Sequence, residues 1–126
     1  MSLNFLIVDD SRMSRLILQG LAQQRHPDWT VLHASSGEEA LAVASQHTIH
    51  LVSMDFNMHG LNGLEAAIEL RRRHPGLPVA LMTANVQSSV QERAREAGIL
   101  FLAKPITAAS LQQMAALVDH PAGARP

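Results

Sequence analysis

The segment Leu6-Ile7-Val8-Asp9-Asp10-Ser11 runs from an apolar stretch straight into two adjacent carboxylates. Partly desolvated like charges this close repel, and their pKa values shift unless water or a cation separates them. Three more apolar stretches end on residues that carry chemistry: Asp55 follows LVSM, Thr83 closes VALM, and Lys104-Pro105 follows ILFLA. Were these stretches strands of one parallel sheet, a single edge would gather three carboxylates, a hydroxyl and an ammonium. Three carboxylates in a crevice need a hard cation, and with no cysteine and no close histidine pair the oxygen donors favour Mg2+ or Mn2+. Such an ion can hold the oxygens of a phosphoryl group arriving at a carboxylate nucleophile, while hydroxyl and ammonium donors serve the remaining oxygens. The pattern reads as aspartyl phosphorylation.

Each residue also has a plainer reading. Asp10 or Ser11 could cap the helix that follows, and Asp55 could be a turn residue in a Gly- and Asn-rich loop. Thr83 suits a strand or a cap, and Lys104 is an ordinary surface charge. These readings are independent of one another, and none predicts that all five residues share one edge.

The elements that must position them alternate regularly. Strands are expected at 3–8, 30–34, 49–54, 78–83 and 99–103. Between them, residues 12–24 place Met13, Leu16, Ile17 and Leu21 at helical spacing, with Arg12, Arg15, Gln19 and Gln23 elsewhere. Ser36 with Glu39, and Asn62 with Glu65, show the offset of a capping box. His74-Pro75-Gly76 stops the third helix, Gly98 closes a polar helix over 87–97, and Thr107 caps a last helix over 108–118. Five βα units with near-continuous apolar strands mean a parallel sheet covered on both faces, an α/β doubly wound fold. Ligands of such folds bind beyond the carboxyl ends of the strands, where the residues above lie.

With 126 residues, 47% of them hydrophobic and 17% charged, the chain suits one ordinary domain. A net charge of -1 makes no electrostatic case for nucleic acid or a membrane surface. The start MSLNFLIVDD lacks the basic and long apolar regions of a signal peptide, and no apolar run nears the roughly 20 residues of a membrane span. The expectation is a cytoplasmic domain over 1–119, with the aperiodic tail 120–126 disordered.

VDDS (8–11), SMDFNMHGLNG (53–63), MTA (82–84) and AKPIT (103–107), in this order and spacing, resemble the two-component response-regulator receiver domain of the chemotaxis-regulator kind. The likeness spans about residues 3 to 118 and implies a flavodoxin-like (βα)5 sandwich with strand order 2-1-3-4-5. It implies Asp55 as phosphoacceptor, and Asp10, Asp55 and the Asn57 backbone carbonyl as Mg2+ ligands, with Asp9 acting through water. Thr83 and Lys104 would bind phosphoryl oxygens, the bond before Pro105 would be cis, and Phe101 would be the aromatic switch. A sensor histidine kinase or phosphotransfer protein, or a small acyl phosphate, would donate, with the exposed polar face of helix 12–24 as the docking side. The output would be a downstream protein rather than nucleic acid or a membrane, from a monomer or weak dimer. Enzyme would apply only to self-catalysed phosphorylation and dephosphorylation. The alternatives are an interaction module with a vestigial site that works without phosphate, and the receiver part of a longer transcriptional regulator.

Some residues depart from the family pattern. His59 stands where the family usually has proline, either as an exposed loop histidine or as a group that makes phosphorylation pH-dependent. Phe101 lacks the hydroxyl of the tyrosine often found at the switch position. The last helix has no charge before Asp119, so the ionic dimer of winged-helix regulators loses its usual residues. Arg71-Arg72-Arg73 reads as a solvated helix end that suits the macrodipole. His47 and His50 straddle a helix–strand junction. Met13, Met54, Met82 and Met114 read as core filler, and Trp29 as a loop shield.

Overall fold

A computed structural model of the chain describes residues 2–84 and 87–119. The elements run β1 (Asn4–Val8), α1 (Arg12–Arg25), β2 (Thr30–Ala34), α2 (Gly37–Gln46), β3 (Leu51–Asp55), α3 (Gly63–Arg73), β4 (Val79–Thr83), α4 (Ser88–Glu96), β5 (Leu100–Ala103) and α5 (Ala108–Asp119). All strand pairings are parallel, in the order β2-β1-β3-β4-β5, as the resemblance implied. The expected tail at 120–126 lies outside the described residues.

Alternate strand residues feed two cores. Leu6 and Val8 of β1 join Met54, Leu81 and the apolar sides of α2, α3 and α4. Phe5 and Ile7 face the other way, onto Leu18 and Ala22 of α1 and Leu111 and Met114 of α5. Both faces of every central strand are therefore apolar, which is why the strands read as continuous runs instead of an alternation.

The helix starts follow from their caps. Ser11 Oγ accepts the Ser14 amide, Ser36 Oγ the Glu39 amide, and Asn62 Oδ1 the Glu65 amide. Glu39 reaches back one residue further than a simple capping box, accepting from the Ser35 amide at 2.5 Å and the Ser35 hydroxyl at 2.8 Å. Thr107 and Ser110 exchange side-chain-to-amide bonds at the entry to α5. Gly76 and Gly98 take φ of +85° and +74° where α3 and α4 stop, a region open to glycine without Cβ strain.

Four expectations are corrected. β3 starts at Leu51 because the imidazole and amide of His50 close the strand entrance, Nδ1 accepting the Asn4 amide at 2.9 Å and the His50 amide bonding to the Asn4 carbonyl. Trp29 is buried core, edge-on to Phe5 and stacked at 3.9 Å on His26. Arg71 is no free helix end: its Nη1 donates to the Leu77 carbonyl at 2.6 Å and fastens the α3–β4 turn. On α1 the buried residues are Leu18 and Ala22, whereas Met13 is 66% and Ile17 55% exposed. The run Leu16-Ile17-Leu18 supports two candidate stripes. Packing takes the one that turns Arg15 and Gln19 toward His33 on β2.

Gly20 lies inside α1, and a Cβ there would meet nothing within 4 Å. Gly20→Ala is expected to raise the unfolding free energy by about 0.5–1 kcal/mol, read as a higher urea midpoint at unchanged slope.

Candidate functional site

In a parallel sheet all carboxyl ends share one edge, and the order 2-1-3 makes β1 and β3 neighbours whose connections depart to opposite faces. Val8 pairs with Met54, so the next residues, Asp9 and Asp55, emerge side by side. β4 lies on the other side of β3 and brings Thr83, fully buried. Lys104 follows β5, and its amide donates to the Thr83 carbonyl at 2.9 Å. The peptide between Lys104 and Pro105 is cis, as the resemblance implied.

Asp9 and Asp55 are each only 3% exposed, whereas Asp10 is exposed. One ligand oxygen from each of Asp9, Asp10 and Asp55 lies within 4.8 Å of the other two. Lys104 Nζ sits between the two buried carboxylates, 3.4 Å from Asp9 Oδ2 and 3.1 Å from Asp55 Oδ1. The 3.1 Å contact is an ion pair outside hydrogen-bond geometry, and Asp55 Oδ1 is buried with no hydrogen bond. An orphaned buried carboxylate oxygen is costly in a finished core and useful at a site awaiting a cation or phosphoryl group.

The electrostatics agree. Burial, and then the neighbouring Asp9 charge, push the Asp55 carboxyl above the usual range, with Lys104 pulling the other way. Burial pulls the Lys104 ammonium down, but the close contact with the Asp55 carboxylate and its charge, with Asp9, outweigh it and leave its pKa raised. The aspartates therefore hold more negative charge than one lysine satisfies. All donors are oxygens, which suits a hard divalent cation.

The doubled aspartate resolves into separate roles. Ser11 makes the α1 cap, and Asp9 Oδ1 accepts the Ser11 amide at 2.9 Å. Asp10 is left to the cluster. Asn57 is exposed in the β3–α3 loop, its Nδ2 3.4 Å from Thr83 Oγ1. Phe101 is half-buried on β5, packed against the α2–α3–α4 side of the core. His59 is exposed in the same loop as Asn57.

The sequence profile of the response regulator receiver domain matches residues 5–116. The chain is a response-regulator receiver domain. Its curated relatives include the cyclic di-GMP phosphodiesterase response regulator RpfG of Xanthomonas campestris pv. campestris, 33% identical over 84% of this chain and 29% of that protein. Another is the transcriptional regulatory protein PdtaR of Mycobacterium tuberculosis, 33% identical over 84% of this chain and 51% of the relative. The chain spans no more than about half the length of these relatives. Among solved structures, the Vibrio cholerae chemotaxis protein CheY4 superposes with a TM-score of 0.83 at 24% identity, covering 94% of this chain and 99% of that one. A CheY-like receiver domain protein from Methanospirillum hungatei gives 0.86 at 19% identity, covering 94% and 95%. At these identities the likeness speaks for the fold.

As a receiver domain, the chain belongs to two-component signalling, whose receivers work with histidine kinases or phosphotransfer partners and with downstream effectors. Receiver domains generally bind Mg2+ at an acidic pocket, and the three-aspartate cluster fits one. No helix among the described residues is long and apolar enough to cross a membrane.

Sequence reasoning missed three contributors: Arg15, His33 and the apolar surface of α1. The exposed face of α1 expected to be polar instead presents Met13, Leu16 and Ile17. Ile17 continues into a cavity of about 410 Å³ whose wall includes Leu18, Met82, Lys104, Pro105 and Ile106.

Proposed function

We propose that Asp55 is the phosphoacceptor of this receiver domain and that its phosphorylation switches a partner-binding surface. The observation that carries this reading is the Asp55 carboxylate, buried at the end of the central strand beside Asp9 and Lys104 with an oxygen that lacks a hydrogen bond. An Asp55 oxygen attacks phosphorus while the bond to the donor breaks, and the electron pair leaves on the imidazole of a phosphohistidine or the carboxylate of a small acyl phosphate. Lys104 compensates the charge on the equatorial oxygens, and Thr83 at the end of β4 donates a hydroxyl to them. Asp9, Asp10, Asp55 and the Asn57 carbonyl would hold Mg2+, which supplies positive charge to the carboxylates and the transferring group. The chain would thus catalyse its own phosphorylation, and water attack on phosphorus would break the acyl phosphate, returning the Asp55 carboxylate and releasing inorganic phosphate.

The donor protein docks, on this reading, over the exposed apolar residues of α1, Met13, Leu16 and Ile17, of which Ile17 lines the cavity that reaches Asp9 and Lys104. Output follows from Thr83 moving toward the new phosphoryl charge, with Phe101 on the neighbouring strand adjusting its packing. The effector is a downstream protein.

Incubation with acetyl phosphate and Mg2+, read by intact mass, should give one phosphoryl adduct on wild type and none on Asp55→Asn. An adduct on Asp55→Asn, or none on wild type with acetyl phosphate and with phosphorylated histidine kinases, would sink the assignment. Mg2+ alone should raise the melting temperature of wild type. A concentration of 100 times the dissociation constant corresponds to about 2.7 kcal/mol, and Asp10→Asn should remove most of that gain.

A further inference from the structure

The Asp9 backbone is held from two sides. Its amide donates to the Ala34 carbonyl at the end of β2, at 3.1 Å. Its carbonyl accepts from Arg15 Nη1 at 2.6 Å, a short charge-assisted bond in half-buried surroundings. Arg15 is itself oriented, its Nε–H donating to His33 Nδ1 at 3.1 Å. On the far side of the ring, His33 Nε2 lies 2.6 Å from Gln19 Oε1. An Nδ1 that accepts and an Nε2 that meets a carbonyl oxygen define the neutral imidazole with its proton on Nε2. Gln19, His33 and Arg15 form one chain of bonds from β2 and α1 to the peptide that joins the two aspartates.

We infer that Arg15, aimed by His33, is a positioning residue for the aspartate pair, fixing the peptide plane from which Asp10 projects toward Asp9 and Asp55. The inference rests on the reading of this cluster as the cation and phosphoryl site. Asp10 is exposed, so the direction of its carboxylate depends on its backbone more than on packing. The Asp9 carbonyl and Asp10 amide belong to one rigid plane. Holding the carbonyl therefore fixes where the Asp10 side chain begins.

The sign of the effect separates positioning from charge. A guanidinium near the site repels a divalent cation, so removal of its charge alone would tighten Mg2+ binding. Removal of a positioning group would weaken it, and loss of groups that orient metal ligands typically costs 10–100-fold in affinity.

The brace also has a pH limit. Burial and then the charges of Arg15 and Arg12 hold the His33 pKa below the ordinary histidine value. Among the described residues, those two arginines on α1 are the charged groups that act on the ring, and Glu39 at the start of α2 feels Arg15 in turn. Below that depressed pKa, a proton on Nδ1 would face the Arg15 N–H donor to donor, and the guanidinium would leave the Asp9 carbonyl.

Mg2+ titration by calorimetry at pH 7.5 tests the inference on wild type, Arg15→Met, His33→Leu and His33→Asn. The dissociation constant should rise about tenfold in Arg15→Met and by a smaller factor in His33→Leu. His33→Asn keeps an acceptor where Nδ1 sits, so it should stay within about twofold of wild type and show a flatter loss of affinity toward pH 5.5. The His33 titration followed by NMR should move up in Arg15→Met. Tighter or unchanged Mg2+ binding in Arg15→Met, with the Asp55 adduct still formed by wild type, overturns the positioning role and leaves the phosphoacceptor standing. A wild-type chain with neither Mg2+ binding nor an adduct overturns both. Should Arg15→Met not fold, Arg15→Lys decides the matter, because it keeps the charge but cannot span both acceptors.

Discussion

Lys104→Met is expected to lower the unfolding free energy by about 3 kcal/mol at pH 7.5 without Mg2+, and the loss should shrink both as pH falls and as Mg2+ is added. The lysine is the cation between two aspartates that are each 3% exposed. Removal of one partner of a buried pair typically costs about 3–5 kcal/mol because the remaining charge stays buried. Two effects place this case at the low end. Methionine removes the desolvation cost of the ammonium, and Asp55 can take up a proton. Burial and Asp9 already raise the Asp55 pKa above its unfolded value, and Lys104 opposes them, with a smaller pull from the Asn57 backbone. Without the lysine that pKa climbs further. A carboxyl whose folded pKa lies above its unfolded pKa binds more protons in the folded state, so it costs stability at high pH and the cost disappears as pH falls through the folded pKa. The gap between wild type and Lys104→Met should therefore narrow from pH 8 toward pH 5. Mg2+ should narrow it too, since it supplies positive charge to the same carboxylates. Urea unfolding at several pH values, with and without Mg2+, gives the gap directly. A gap indifferent to both would mean that the lysine stem, not its charge, supports the fold.

The features of this site that were legible in the sequence are those a strand end displays. Asp9, Asp55, Thr83 and Lys104 each follow an apolar run, interrupted only by Ser53 ahead of Asp55, and a parallel sheet brings such ends to one edge without further information. The cis bond at Pro105 and the order of the strands came with the motif pattern. What stayed hidden depends on side chains that reach across elements. Arg15 and His33 are 18 residues apart and meet only because α1 rolls Leu18 and Ala22 onto the sheet. Leu16, Ile17 and Leu18 are all apolar, so helical periodicity alone cannot tell which stripe faces inward. Trp29 next to Pro27 and Asp28 looked like a loop residue because nothing local records Phe5 waiting on the adjacent strand. In the sequence Gly63 stands out only as part of a family motif, and its own reason is geometric.

Gly63→Ala is expected to cost about 3 kcal/mol and to reduce phosphoryl adduct formation sharply. Gly63 is the first residue of α3, capped by Asn62, and its amide donates to the Phe56 carbonyl at 3.1 Å. A Cβ there would stand 2.1 Å from the Asp55 carbonyl oxygen and 2.7 Å from the Phe56 Cα. Those are backbone atoms, so no rotamer change relieves the overlap. Helix propensity argues the other way, since alanine is favoured over glycine by about 0.8–1 kcal/mol in a helix interior and by less at its first turn. Overpacking typically costs about 1–3 kcal/mol, and a clash with two rigid peptides belongs at the top of that range. The overlap wins. Either α3 moves outward or the Asp55 peptide turns, and the second outcome swings the carboxylate away from Lys104 and Asp9. Gly37→Ala makes a graded control, because its Cβ would meet the Ala66 side chain at 2.9 Å and the Leu61 carbonyl at 3.3 Å. That approach is less severe and should cost about 1–2 kcal/mol. Urea midpoints should rank Gly20→Ala above wild type, then Gly37→Ala, then Gly63→Ala. A Gly63→Ala chain within about 0.5 kcal/mol of wild type, phosphorylated at the same rate, would mean that α3 does not need its close approach to hold Asp55 in place.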